Sequence, residues 1–204
     1  MRNEVGQDAL LGLTAALLLD GGASSDFDLN PALAVPGVIL RPAAVLVPIW
    51  LHQGQARVIL TKRASHLKHH PGQVAFPGGK RDDGDTSLID CALREAWEEI
   101  GLAPDRVQVL GSLPPHETVT GFKVTPILGV IRDGFEPVSQ ADEVDEVFTV
   151  PLPHVLDAAS YALERRQWRG VWRSYYSVPY GPYYIWGATA RMLRALADRV
   201  AQCE

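Results

Sequence analysis

The sequence predicts an α/β fold, with helices packed around a mixed β-sheet, and three observations carry that prediction. Short apolar runs of strand type alternate with two periodic helical stretches, residues 87–100 and 189–200. The chain has 204 residues, 47% of them hydrophobic, which suffices for one domain with its own core. No apolar run reaches the length of a membrane span.

Taken in order, residues 8–20 read as a short helix rich in Ala and Leu, stopped by Gly21 and Gly22. Thr14 interrupts its apolar run and no strongly basic flank precedes it, so a signal peptide is not expected. Residues 23–36 lose this periodicity and read as a linker or irregular crossing segment. Residues 1–40 are therefore expected to form a helical arm and connecting segment ahead of a domain spanning 41–204. Residues 43–50 and 56–61 form a hairpin around the turn at 52–55, with Pro48 favouring an edge or bulge position.

Lys62, Arg63, His66, Lys68, His69 and His70 follow, the most basic patch in a chain of net charge -5. One reading is a solvated loop. The other is a phosphate-recognition surface, because the patch runs into a Gly-Gly turn and an acidic stretch. Residues 74–76 are a short strand ended by Pro77, and Gly78 and Gly79 let the backbone turn closely around a ligand. Asp82, Asp83 and Asp85 enrich the next loop in oxygen ligands, and one of Asp85, Thr86 and Ser87 caps the following helix.

That helix runs over 87–100 and ends at Gly101. At about 100° per residue, Ile89, Leu93, Ala96, Trp97 and Ile100 gather on one side, while Glu95, Glu98 and Glu99 gather opposite and are expected to aim outward together. A solubilising polar face is the simpler reading. Three adjacent like charges with only Arg94 beside them favour a bound Mg²⁺ or Mn²⁺ instead. Cys91 and Cys203 are too few for a disulfide framework or a four-ligand zinc site and read as reduced, apolar side chains.

Farther on, 107–113 and 122–130 read as strands, with Pro126 again suggesting an edge or bulge, and 114–121 as a turn-rich loop between them. Residues 136–146 carry several acids and look exposed, and 153–159 form a brief helix. Residues 161–172, with Arg165, Arg166 and Arg169, read as a substrate-facing insertion, an interface or a solvated bend. Residues 171–178 and 183–186 suggest two strands, and 189–200 a terminal helix.

The run GGKRDDGDTSLIDCALREAWEEIGL resembles the box of the Nudix hydrolases, with Gly79, Arg94, Glu95, Glu98, Glu99 and Gly101 at its most informative positions. Two features depart from the common box: one extra residue between Gly79 and Arg94, and Asp85 where a glutamate is usual. The preceding LTKRASHLKHHPGQVAFPGG resembles the coenzyme A pyrophosphatase branch, which tolerates both departures. LPPHETVTGFKVTPILG and YYIWGATARML extend the resemblance over residues 45–197.

The resemblance implies a Nudix-type α/β/α sandwich around a mixed sheet. It also implies metal-dependent cleavage of the coenzyme A pyrophosphate to 3′,5′-adenosine bisphosphate and 4′-phosphopantetheine, with oxidised and acyl coenzyme A as further substrates. Glu95 and Glu99 would be the strongest ligands of Mg²⁺ or Mn²⁺, Glu98 a third ligand or a water-orienting group, and the Gly79 carbonyl would complete the set. Arg94 would orient the acids through an ion pair. Glu98 or Glu99 leads as general base, followed by Glu143 or Glu146. Arg63 and Lys68 would contact phosphates, one of His66, His69 and His70 would bind phosphate or stabilise the loop, and Gly78 and Gly79 would shape the turn around the substrate. His116, Glu117 and Thr118 would line the opening. Alternatives are a Nudix diphosphatase for ADP-ribose, a dinucleotide or a nucleoside triphosphate, and a catalytically silent nucleotide-binding module. Nucleic acid is disfavoured by the acidic net charge and the absence of a recognition motif. A cytoplasmic location without membrane attachment and a homodimer complete the expectation.

Overall fold

The computed structural model describes residues 4–132, 134–168 and 170–203, with side chains of the first helix described from Leu10 onward. In chain order the elements are α1 (Glu4–Leu18), β1 (Ser24–Ser25), β2 (Arg41–His52), β3 (Gln55–Arg63), β4 (Val74–Ala75) and β5 (Gly78–Lys80). They continue with α2 (Leu88–Ile100), β6 (Val107–Ser112), β7 (His116–Glu117), β8 (Phe122–Arg132), β9 (Val144–Pro151) and α3 (Leu152–Leu156). A hairpin of β10 (Ala162–Trp168) and β11 (Val171–Ser177) precedes α4 (Gly187–Ala201). Among the described residues no helix is long and apolar enough to cross a membrane.

Nine strands form one mixed sheet among the described residues, and β10–β11 stands apart. Its spine is the parallel pair β2 and β8, in register from Arg41↔Phe122 to Leu51↔Arg132. β3 pairs antiparallel with β2 on one side and with β9 on the other. Both strands of the spine alternate their side chains, as the two-residue period of a strand requires. Val47, Ile49, Val58, Leu60, Leu128 and Val130 face a core shared with α1, α3 and α4. Ala44, Leu46, Ile59, Ile127 and Ile131 face Cys91, Ala92, Ala96 and Ile100 of α2. The result is an α/β/α sandwich, as expected.

The two prolines correct the expectation of edge or bulge positions, since both lie in the central pair. Pro48 falls between the residues of β2 that pair with β5 (43–45) and those that pair with β3 (49–52). Pro126 likewise falls between the β8 residues opposite β7 and those opposite β6. A proline needs only a place where no ladder bond is required of its nitrogen, and a change of partner supplies one. Residues 183–186 also differ from expectation, making two isolated bridges, Ser177↔Trp186 and Tyr180↔Tyr183, rather than a strand. Residues 161–172 form most of the β10–β11 hairpin, with Arg169 outside the described residues.

The segment from Leu10 to Asn30 packs into the same body. Leu13 and Ala16 are fully buried. Arg199 Nε donates to the Ala16 carbonyl at 2.9 Å, which ties α1 to α4. β1 adds to the main sheet beside β7.

Candidate active site

Helix α2 starts and stops where its sequence signals require. Asp90 N–H donates to Ser87 Oγ at 3.1 Å, and Gly101 closes the other end at φ +69°. Its rotation about its own axis differs from expectation. Trp97 and Ile89 are 54% and 38% exposed, whereas Glu99 is only 3% exposed. The buried face is thus turned roughly 100° from the Ile89–Trp97 stripe and is centred near Glu99. Cys91, Ala92 and Ala96 are small enough to let the helix lie close on the sheet along this face.

The three glutamates therefore part company instead of aiming outward together. Glu99 is buried and Glu95 largely so, while Glu98 is exposed and receives Arg94 Nη1 at 2.9 Å. Arg94 organises the rest. It grips Asp85 with two parallel bonds, Nε to Oδ1 at 2.9 Å and Nη2 to Oδ2 at 3.0 Å, and lies 3.1 Å from Glu95 Oε1. Asp85 also accepts from its loop neighbour, the Asp82 N–H, at 2.8 Å. Arg94 and these bonds hold the Asp85 carboxyl far below the usual carboxylate range. Asp85 is accordingly committed to arginine, not to an ion, and Asp82 pairs with Lys80 at 3.2 Å.

Burial pushes the Glu99 carboxyl from 4.5 up to about 8, the charge of Glu95 adds to this, and that of Glu143 adds further, while Arg63 opposes it. Glu95 is raised by burial as well, against the pull of Arg94. Glu99 Oε2 is shielded from solvent and has no hydrogen-bond partner among the described residues. A hard divalent cation answers that defect: it would satisfy the orphaned oxygen and relieve the repulsion between Glu95 and Glu99. Among the described residues no three His, Cys, Asp or Glu side chains converge into a ready cage. Mg²⁺ needs none, since it takes one or two carboxylates and fills its remaining positions with substrate phosphate and water.

Gly79 sits at this cluster. A Cβ built there would lie 2.4 Å from Glu95 Oε1, so the backbone of β5 and the Glu95 carboxylate share a space that only glycine leaves open. Beside it opens a cleft of about 360 Å³, whose wall includes Arg63, His70, Gly78, Thr118, Arg173 and Trp186. Arg63 Nε and Arg173 Nε are both shielded from solvent without a hydrogen-bond partner among the described residues.

The other expected site residues are placed as follows. Lys68 is exposed on the loop after β3 and is not part of the cleft wall. His70 holds a positive φ of 55°, with Nδ1 at 2.8 Å from Gln73 Oε1. His116 corrects its expected place at the opening: it is fully buried, with Nδ1 against Ser24 Oγ at 2.9 Å and Nε2 against Asp26 Oδ1 at 3.1 Å. Both ring nitrogens are spent anchoring the N-terminal segment, so none is left for a ligand. Glu146 accepts from the Tyr183 hydroxyl, while the exposed Glu143 has no side-chain partner among the described residues yet contributes charge at Glu95 and Glu99.

Arg173 was not among the expected site residues. It lies in a strand crowded with arginines and aromatics, and nothing local separates it from the solvated Arg165 and Arg166.

The sequence profile of the NUDIX domain matches residues 40–170. A protein of Enterobacter sp. (strain 638), named Uncharacterized Nudix hydrolase NudL, is 43% identical over 191 residues, covering 92% of this chain and 97% of its own. A protein of the same name from Salmonella paratyphi B (strain ATCC BAA-1250 / SPB7) matches with the same identity and coverage. A solved structure of a MutT/nudix family protein from Enterococcus faecalis aligns with a TM-score of 0.49 at 17% identity, over 80% of this chain and 62% of that one.

Proposed function

The chain belongs to the Nudix family, and from that premise we propose that it hydrolyses the pyrophosphate of coenzyme A, and of its oxidised or acyl derivatives. The observation that carries this reading is the junction of two features. The Glu95 carboxylate meets the backbone of Gly79, the Glu99 carboxylate meets that of Gly78 and feels the charge of Glu95, and the segment running from Arg63 to Gly79 joins that cluster to an arginine-bearing cleft. That segment is the one whose sequence resembles the coenzyme A branch.

Glu95, Glu99 and the Gly79 carbonyl would hold Mg²⁺ or Mn²⁺, which when bound screens the pyrophosphate charge and lowers the pKa of water. In the reaction a water oxygen forms a bond to one phosphorus, and the bridging P–O bond breaks with its electron pair leaving on the departing phosphate. Arg63 faces this region as a cation whose influence reaches Glu99, and it offers an unspent N–H to a phosphate oxygen. Arg94 keeps Glu95 and Glu98 in place through its hold on Asp85. The proton lost by water passes to Glu143. That carboxylate comes from a facing loop, has no competing partner among the described residues, and feels the same cluster.

The test is to incubate purified protein with coenzyme A, ADP-ribose and a dinucleotide in the presence of Mg²⁺ or Mn²⁺. Preferential release of 4′-phosphopantetheine from coenzyme A is expected. Robust turnover of another substrate with no cleavage of coenzyme A would reject the specificity.

A further inference from the structure

The cleft carries an arginine that the chemistry at the scissile bond does not use. Arg173 lies on β11, paired with Arg166 across the hairpin, and forms part of the cleft wall. Its Nε is shielded from solvent without a partner, and among the described residues it joins no ion pair. A shielded donor on a permanent cation is costly to leave unpaired. The one carboxylate in the described wall is Asp26, and it is already committed. It contacts His116 Nε2 at 3.1 Å and accepts from the Val119 N–H at 2.9 Å.

The backbone beside Arg173 is held from outside the hairpin. Asn30 brackets Ser174 with both ends of its amide: Nδ2 donates to the Ser174 carbonyl at 2.8 Å, and Oδ1 accepts from the Ser174 N–H at 2.8 Å. The segment that supplies Asn30 is tied to α4 by Asp28 and Arg191 at 2.7 Å, and to β7 through Asp26 and His116. The N-terminal segment thus fixes the strand that presents Arg173 to the cleft, a cost in order that a merely solvated arginine would not need.

We propose that Arg173 anchors a second anionic group of the substrate, a phosphate monoester remote from the scissile pyrophosphate. The inference rests on the reading that this cleft takes a pyrophosphate-containing nucleotide. In coenzyme A that group is the 3′-phosphate. A guanidinium on a braced strand suits a phosphate because its fork of N–H donors matches the oxygens, and Arg63 remains for the pyrophosphate.

The test compares wild type with Arg173→Ala and Arg173→Lys on coenzyme A and 3′-dephospho-coenzyme A. Binding of 3′,5′-adenosine bisphosphate and of AMP is titrated by calorimetry in parallel. Arg173→Ala is expected to raise KM for coenzyme A about tenfold or more, the loss of a charge-assisted hydrogen bond. Its kcat, its melting temperature and its constants for the dephosphorylated substrate should stay at wild-type values, and Arg173→Lys should recover part of the loss. Equal losses on both substrates, or none on either, would overturn the proposal. If wild type cleaves neither, the proposed activity fails and the titration alone decides Arg173. A preference for the bisphosphate that Arg173→Ala abolishes supports the anchor, and no preference in wild type refutes it.

Discussion

Gly79 and Glu95 occupy one space: a methyl group on Gly79 would lie 2.4 Å from the Glu95 carboxylate. The obstacle is the far end of a flexible side chain, which can swing aside. At Gly78 the same methyl would meet backbone, the Ala44 carbonyl at 2.5 Å and Val45 Cα at 2.6 Å, which cannot. Gly79→Ala should therefore fold with a stability change within about 1 kcal/mol while kcat drops about 100-fold through displacement of Glu95. Gly78→Ala should instead lose about 2 kcal/mol or more of stability from overpacking. Chemical denaturation of both variants beside steady-state kinetics separates the two effects.

Asp85 is buried beneath Arg94, whose side chain is 28% exposed. Removing one partner of a buried pair costs about 3–5 kcal/mol, and the partial exposure of Arg94 places Asp85→Ala near the lower end, about 3 kcal/mol. Asp85→Glu, the residue usual in the related box, should restore less than the full value, because the loop is one residue longer here and Asp85 also receives the Asp82 N–H. Urea unfolding of the three proteins checks the order.

Glu99 gives a stability profile of definite sign in metal-free protein. Its carboxyl is pushed from 4.5 up to about 8 by burial and by Glu95. Stability tied to its neutral form is complete below pH 4.5 and is lost as pH rises toward 8, by an amount that a displacement of this size puts at roughly 4 kcal/mol. Glu99→Gln should melt with wild type at pH 4.5, melt above it at pH 8, and have severely reduced metal-dependent turnover. A Glu99→Gln protein with near-normal activity at limiting metal would exclude Glu99 as an essential ligand.

Glu143 and Glu146 stand three residues apart but in different surroundings. Glu143 adds its charge to the Glu95 and Glu99 cluster, whereas Glu146 is engaged by Tyr183, whose ring stacks on Phe148 at 3.5 Å between centroids. Glu143→Gln should lower kcat about 100-fold or more with KM little changed, as expected for loss of a general base. Glu146→Gln should cost less than tenfold, by roughly the loss of one hydrogen bond.

Much of the fold was legible because it rests on local rules. The capping candidates at 85–87 and Gly101 bracketed α2 through capping chemistry, with Ser87 the cap, and the apolar runs of β2 and β3 around the turn at 52–55 marked the hairpin. The error in the rotation of α2 has an equally physical cause. Periodicity ranks residues by hydrophobicity, yet this helix buries small residues and an acid while exposing Trp97, since close approach to the sheet was worth more than covering an indole. Pro48 and Pro126 misled similarly, because a strand's need for ladder bonds depends on where its neighbours begin and end.

The sequence by itself determined the α/β architecture and, within about forty consecutive residues where spacing encodes geometry, the basic segment, the glycine turn and the acidic helix behind it. Only the tertiary structure decided how the three glutamates divide, that His116 is a buried strut, and that Arg173 enters the cleft beside Arg63. The last two outcomes join residues ninety to one hundred and fifty positions apart, such as Ser24 with His116 and Asn30 with Ser174, and contacts of that range leave no local pattern to read.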